Sequence, residues 1–166
     1  DQPQDDQAPL PLALSVAEME ALKHRYVEAA QRAVEAGFEV IELHCGHGYL
    51  LHQFLSPLSN NRQDGYGGSL TNRCRYPLEI VAAIRKSLPE NMPMLVRLSA
   101  VDGLPGGWEL QDSLYLSQHL KEAGVDMVDC SSGGLTGSAT ANRMKRGYGF
   151  QVPFAGGRRP SEPRAD

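Results

Sequence analysis

The amino-acid sequence predicts an α/β fold made of about three central βα units of a (β/α)8 barrel (TIM barrel). Amphipathic helical patterns alternate with short apolar runs, an order that predicts right-handed βαβ units and a parallel sheet. Residues 35–42 and 122–129 also match by residue type, two such units apart. A spacing of about 43 residues per unit fits a barrel with long loops after its strands. A doubly wound open sheet is the competing fold, but no GxGxxG sequence opens a helix.

The first unit follows a proline-rich segment. Residues 1–14 are polar and predict a loop or a disordered arm. Ser15 and Glu18 then form a capping-box pattern, which predicts the start of a helix, and Gly37 is placed to end it. The apolar run at residues 38–43 predicts the first strand.

The same alternation continues through two more strands. Pro77 predicts the first turn of the second helix, because proline suits that position. Residues 94–100 predict a strand, residues 110–123 a helix and residues 125–130 a third strand. Residues 131–149 are rich in glycine, serine and threonine and predict a loop.

The predicted barrel is incomplete. Eight units need on the order of 300 residues or more, whereas this chain has 166. We interpret residues 15–155 as the central part of a TIM-barrel domain and residues 156–166 as an irregular tail. A partial barrel exposes unpaired edge strands, so we expect it to aggregate when isolated.

Composition excludes several classes of partner. A net charge of -4 and a pI near 5.7 argue against nucleic-acid binding. The three cysteines lack metal-ligand spacing, and an odd number makes a poor disulfide framework, which favours a reducing compartment. No apolar run reaches membrane-spanning length, and the N-terminal segment has no signal pattern. We therefore predict a cytoplasmic protein that binds neither nucleic acid nor membranes.

Candidate catalytic side chains lie at the predicted carboxyl ends of the strands, where barrel enzymes place their active sites. His44, His47 and Tyr49 follow the first strand. The two histidines could donate hydrogen bonds to one ligand oxygen, cap a loop or bind a metal, although no third ligand has suitable spacing. Tyr49 could pack its ring, or protonate a carbanion or enolate without being ionised beforehand.

Arg97 lies inside an otherwise apolar strand. Burial of a guanidinium is costly without an anionic or hydrogen-bonding partner. Arg97 could pair with Asp129 or Glu42 on neighbouring strands, or it could bind a cofactor that carries partial negative charge. The sequence leaves both interpretations open.

Other polar residues lie near the same strand ends: Asp102, Cys130, Ser131 and Ser132. The polar segment at residues 61–73 predicts a self-bonded loop that shapes a lid, in preference to direct ligand contacts. Trp108 is interpreted as a packing residue.

The segment that begins at His44, HCGHGYLLHQFLSPLSNNRQDGYGGSLTNR, resembles the signature of the Old Yellow Enzyme family of FMN-dependent ene-reductases. The sequences AAQRAVEAGFEVIELH, VRLSAVD, DCSSGG and FQVPFA also resemble that family, in the same order. The details are most similar to the bacterial xenobiotic-reductase subgroup, in which two histidines bind substrate. The resemblance covers most of the chain.

The resemblance implies a TIM barrel that holds FMN at its carboxyl-end face and takes electrons from NAD(P)H. His44 and His47 would bind the carbonyl oxygen of an α,β-unsaturated substrate, Tyr49 would be the catalytic proton donor, and Arg97 would bind the flavin near N1 and O2. The expected partner is a small activated alkene, no metal is expected, and the full-length form could be a homo-oligomer.

Two other functions remain open. The family carries its FMN-phosphate site on the last two strands and further flavin contacts on the first strands, and this chain has neither. It could therefore be a non-catalytic fragment or interaction module derived from such an enzyme. A metal hydrolase that uses His44 and His47 is the third hypothesis.

Overall fold

A computed structural model of the protein describes residues 12–135 and 147–157. Most of the predicted arm at 1–14, of the predicted loop at 131–149 and of the predicted tail at 156–166 lies outside the described residues. Among the described residues, no helix has both the length and the apolar character needed to cross a membrane.

Three parallel strands form one sheet in the order β1-β2-β3. The strands are β1 (Ile41–Cys45), β2 (Met94–Ser99) and β3 (Met127–Ser131). The predicted parallel α/β arrangement is confirmed, and β1 and β3 are the two edges of the sheet within the described residues. The predicted bounds of the first strand were wrong, because ladder pairing with β2 begins only at Ile41 and continues to Cys45. His44 therefore lies inside β1 and not beyond its end.

The helices lie between and beyond these strands. They are α1 (Val16–Glu35), α2 (Leu50–Leu55), α3 (Leu70–Ser87), α4 (Leu110–Glu122) and α5 (Val152–Ala155). The capping box before α1 is confirmed: the Glu18 N–H donates to Ser15 Oγ at 3.3 Å, and the Ser15 N–H donates to Glu18 Oε2 at 2.8 Å. The short helices α2 and α5 were not predicted.

The prediction that the second long helix starts at Pro77 was wrong. Ser69 caps α3 by accepting a hydrogen bond from the Asn72 N–H at 3.3 Å, and Pro77 lies inside the helix. Tyr76 is completely buried, and its hydroxyl donates to the Met19 carbonyl of α1 at 2.9 Å. Packing of α3 against α1 thus outweighs the local cost of an interior proline.

The polar segment at residues 61–73 is held by its own hydrogen bonds, although its last four residues belong to α3. Arg62 pairs with Asp64 at 2.6 Å. The Arg73 guanidinium donates to the carbonyls of Leu55 at 2.8 Å and Gly68 at 2.6 Å. The contacts within the segment agree with the predicted self-bonded loop, whereas the bond to Leu55 ties it to α2. Its role as a lid stays a prediction.

The two faces of the sheet differ in chemistry, because successive side chains of a strand point to opposite faces. One face is buried among the helices and carries Leu43, Cys45, Met94, Val96 and Leu98. The other face carries a paired row of His44, Arg97 and Asp129. Trp108 is 1% exposed within the core, which confirms its packing role.

Candidate active site

The structure brings His44, His47 and Tyr49 together at the end of β1. The His44 ring lies 5.0 Å from the His47 ring and 5.4 Å from the Tyr49 ring, measured between ring centroids. This happens because the chain turns tightly after β1, so that Tyr49 occupies the N-cap position of α2. Its side chain makes no capping hydrogen bond and is 65% exposed.

The turn between β1 and α2 has an unusual backbone. His47 has φ +58°, and it is the one non-glycine residue with positive φ among the described residues. A Cβ atom added to Gly48 would lie 2.4 Å from the Gly134 carbonyl oxygen, and a Cβ on Gly134 would lie 2.4 Å from the His47 Cα. The two loops therefore touch through their backbones, and this close approach requires glycine at both positions.

The His47 side chain reaches across the sheet to β3. Its Nε2 lies 2.6 Å from Ser131 Oγ, and its backbone N–H donates to Ser99 Oγ at 2.9 Å. Gln151, just before α5, donates to the hydroxyls of Ser131 at 3.2 Å and Ser132 at 3.1 Å. Gln151 was not singled out from the sequence except within the FQVPFA resemblance, because only the fold shows what it contacts.

Arg97 lies next to His44 in the β1–β2 register and next to Asp129 in the β2–β3 register. Its Nε is 3.4 Å from Asp129 Oδ2, with side chains 42% and 39% exposed, so solvent screens this ion pair. The Arg97 Nε is buried, and it has no hydrogen-bond partner among the described residues. The ion pair with Asp129 thus satisfies Arg97 only weakly, and the Arg97 Nε is left as a donor for a ligand acceptor.

Burial lowers the pKa values of both histidines at the site. For His44, the positive charge of Arg97 lowers the pKa further. For His47, the neighbouring His44 and Arg97 add to the effect of burial. Both rings are therefore neutral near pH 7, and each neutral imidazole keeps one N–H donor.

These lowered pKa values predict a pH dependence of stability. The unfolded chain binds protons to these histidines more readily than the folded chain does, so the free energy of unfolding falls as the pH drops from 6.5 through the two folded-state pKa values. The free energy of unfolding, measured by urea denaturation, should change less between pH 5 and pH 7 in the double variant His44→Asn/His47→Asn than in the parent protein. The variant His24→Asn, in an exposed position on α1, serves as the control. The same pH dependence of the free energy of unfolding in the double variant and the parent would contradict the prediction.

A buried histidine–carboxylate pair lies directly beneath the turn. His52 and Asp102 are both 0% exposed, and His52 Nε2 is 2.8 Å from Asp102 Oδ1. Asp102 was predicted only as a strand-end residue and His52 was not predicted as a site residue, because no local pattern shows that the two meet. Within the described residues, no group of three or more His, Cys, Asp or Glu side chains could hold a metal ion.

Comparison with known proteins finds similar sequences over most of the chain. The family model described as the NADH:flavin oxidoreductase / NADH oxidase family matches residues 2–152. An NADH:flavin oxidoreductase of Gibberella zeae is 46% identical over 157 residues, which cover 89% of this chain and 38% of that protein. An NADPH dehydrogenase of Bacillus subtilis is 43% identical over 151 residues, which cover 91% of this chain and 43% of that protein.

The fold is also similar to solved structures. The Old Yellow Enzyme homologue of Zymomonas mobilis superimposes with a TM-score of 0.68 at 25% identity, covering 74% of this chain and 35% of that one. The chain thus spans less than half the length of these relatives. Its three βα units are part of the TIM barrel that such enzymes form, as the sequence predicted.

Proposed function

Since the chain belongs to the NADH:flavin oxidoreductase / NADH oxidase family, we propose that it is part of an FMN-dependent NAD(P)H oxidoreductase that reduces the C=C bond of α,β-unsaturated carbonyl compounds. The observation that carries this proposal is the cluster of His44, His47 and Tyr49 beside Arg97. It combines two neutral hydrogen-bond donors, one phenol and one unsatisfied cationic donor at the carboxyl end of parallel strands. A cytoplasmic location and a homo-oligomeric state remain predictions.

The residues present fit a flavin on the Arg97 side of the cluster. The buried Arg97 Nε needs an acceptor, and the ring edge of FMN near N1 and O2 offers acceptor atoms that become more negative on reduction. Arg97 would hold that edge, and its positive charge would favour the reduced cofactor. FMN, when bound, supplies the hydride-transfer chemistry.

His44 and His47 would bind the carbonyl oxygen of the alkene substrate. Each neutral ring can direct one N–H to that oxygen, and the two rings already lie 5.0 Å apart, measured between centroids, before the substrate arrives. Negative charge grows on the oxygen when the β-carbon accepts a hydride, so these donors stabilise the transition state more than the ground state. For His47 to use Nε2, it must exchange its contact with Ser131 for the substrate.

Tyr49 would complete the reaction by donating its phenolic proton to the α-carbon. Its exposed ring next to His44 lies on the open side of the cluster, where a substrate held by the histidines would be within reach. A phenol can act as a general acid near neutral pH without prior ionisation.

Flavin binding tests the proposed function. The protein purified from its complete reading frame should bind FMN, and Arg97→Gln should raise the dissociation constant for FMN about tenfold or more, because it removes a charge-assisted hydrogen bond. Arg25→Gln, on the exposed surface of α1, is the matched control and should leave FMN affinity unchanged. A colourless protein that fails to bind FMN at saturating flavin would contradict the proposal.

The alternative proposal is a non-catalytic module derived from such an enzyme. The unpaired edges of β1 and β3 within the described residues favour it for the 166-residue chain alone. Flavin titration of that chain separates the two proposals. Tight, stoichiometric uptake of FMN would contradict the module.

A further inference from the structure

We propose that His52 is a positioning residue, which holds the turn between β1 and α2 through the backbone of Gly48 and thereby orients His47 and Tyr49. This inference rests on the proposed function, because it assigns a role to those two side chains. The hydrogen bonds of His52 go to Gly48 and Asp102 and to neither of those side chains. His52 lies in the first turn of α2 and is completely buried.

The hydrogen bonds of His52 define its tautomer. The Gly48 N–H donates to His52 Nδ1 at 2.9 Å, so Nδ1 must be the unprotonated acceptor. The ring proton is therefore on Nε2, which donates to Asp102 Oδ1 at 2.8 Å. A ring with a proton on Nδ1 could not accept the Gly48 bond.

Asp102 is itself held rigidly. Its second carboxylate oxygen, Oδ2, accepts hydrogen bonds from the Ser56 hydroxyl at 2.6 Å and the Trp108 N–H at 2.7 Å. His52, Ser56 and Trp108, which supply the three donors, are all buried. The Asp102 carboxylate therefore has fixed partners on both oxygens. The orientation of the His52 ring is consequently determined by the core and not by solvent.

Both peptide groups that flank Gly48 are held. The His47–Gly48 peptide donates its N–H to His52, and the carbonyl of the Gly48–Tyr49 peptide accepts from the Gln53 side chain at 2.7 Å. His47 has φ +58°, a conformation that persists only where surrounding contacts specify it. Gly134 also packs against the turn, so both His52 and Gly134 confine it.

A core histidine could instead only stabilise the fold, and two substitutions separate these roles. The side-chain oxygen of asparagine takes the place of Nδ1, so His52→Asn keeps an acceptor for Gly48 and loses the bond to Asp102. The amide nitrogen of glutamine takes the place of Nε2, so His52→Gln keeps the bond to Asp102 and loses the Gly48 acceptor. A positioning role predicts that alkene reduction is slower in His52→Gln than in His52→Asn by about tenfold to a hundredfold.

Two measurements keep the test independent of overall stability. Melting temperatures of both variants are recorded, and reoxidation of the reduced flavin by ferricyanide, which needs no proton from Tyr49, should be equal in the two. Equal rates of alkene reduction in His52→Gln and His52→Asn, or rates that simply follow the melting temperatures, would overturn the inference.

A readout without activity separates this inference from the proposed function. Amide hydrogen exchange at Gly48 should be at least tenfold faster in His52→Gln than in His52→Asn, and equal exchange would overturn the inference whether or not FMN binds. Since either variant could lose the fold, ¹⁵N NMR of the parent protein is measured as well. It should show the Nε2–H tautomer of His52 at pH 7, and an Nδ1–H or doubly protonated ring would overturn the inference. Failure to bind FMN would instead overturn only the proposed function.

Discussion

Tyr49→Phe should slow the reduction of an activated alkene by about 10²-fold to 10⁴-fold, the usual contribution of a positioned general acid. The substitution removes one oxygen from a side chain that is 65% exposed and makes no capping hydrogen bond, so the fold should be unaffected. Reduction of the flavin by NAD(P)H needs no proton from Tyr49 and should keep its rate. Stopped-flow measurement of the two half-reactions on the protein from its complete reading frame separates these effects.

Tyr115→Phe is the matched control for that experiment. Tyr115 lies on α4, and its hydroxyl contacts Thr71 Oγ1 at 3.1 Å on the outer surface, away from the cluster. The control should leave both half-reactions unchanged. If Tyr49→Phe reduced alkenes at the parental rate, Tyr49 could not be the proton donor, and water or another side chain would have to supply the proton.

Single replacement of His44 or His47 by alanine should lower the rate of alkene reduction by about 10²-fold to 10³-fold, as expected for loss of one oxyanion-type donor. Because both rings would act on the same oxygen, the double variant should lose less than the product of the single effects. Turnover of a simple enone by the protein from its complete reading frame measures these losses.

His119→Ala provides the control for the histidine variants. His119 lies on α4 and bonds through Nδ1 to the Tyr115 carbonyl at 2.8 Å, outside the cluster. Its loss should leave turnover intact. If the losses for His44→Ala and His47→Ala simply multiplied in the double variant, the two rings would not share a target. Unchanged turnover in the single variants would remove them from the site.

Much of the fold follows from patterns that act over a few residues. The capping box at Ser15 and Glu18 predicted the start of α1 correctly, because both partners lie within one helical turn. The bounds of α4 and β2 were also predicted closely, since β2 is apolar apart from Arg97 and Ser99 and α4 keeps a helical apolar spacing. The start of α3 was predicted wrongly from Pro77, because the burial of Tyr76 against α1 is a contact between helices far apart in the chain.

The candidate site likewise has a part that the sequence predicted and a part that only the folded structure shows. His44, His47 and Tyr49 lie within six residues of one another, so their convergence could be inferred from the end of a single strand. The long ion pair between Arg97 and Asp129 was one of two interpretations that the sequence left open. That the Arg97 Nε of this pair is buried without a hydrogen bond appears only in the folded geometry.

Short-range patterns were thus enough to establish a parallel α/β chain with a polar cluster after its first strand. Tertiary structure alone decided that His52 meets Asp102, that His47 reaches Ser131 and that Gly134 packs against the turn. Each of these contacts joins residues separated by 50 or more positions. Such pairs are brought together by sheet register and core packing, which depend on the whole fold and leave no mark in any local stretch of sequence.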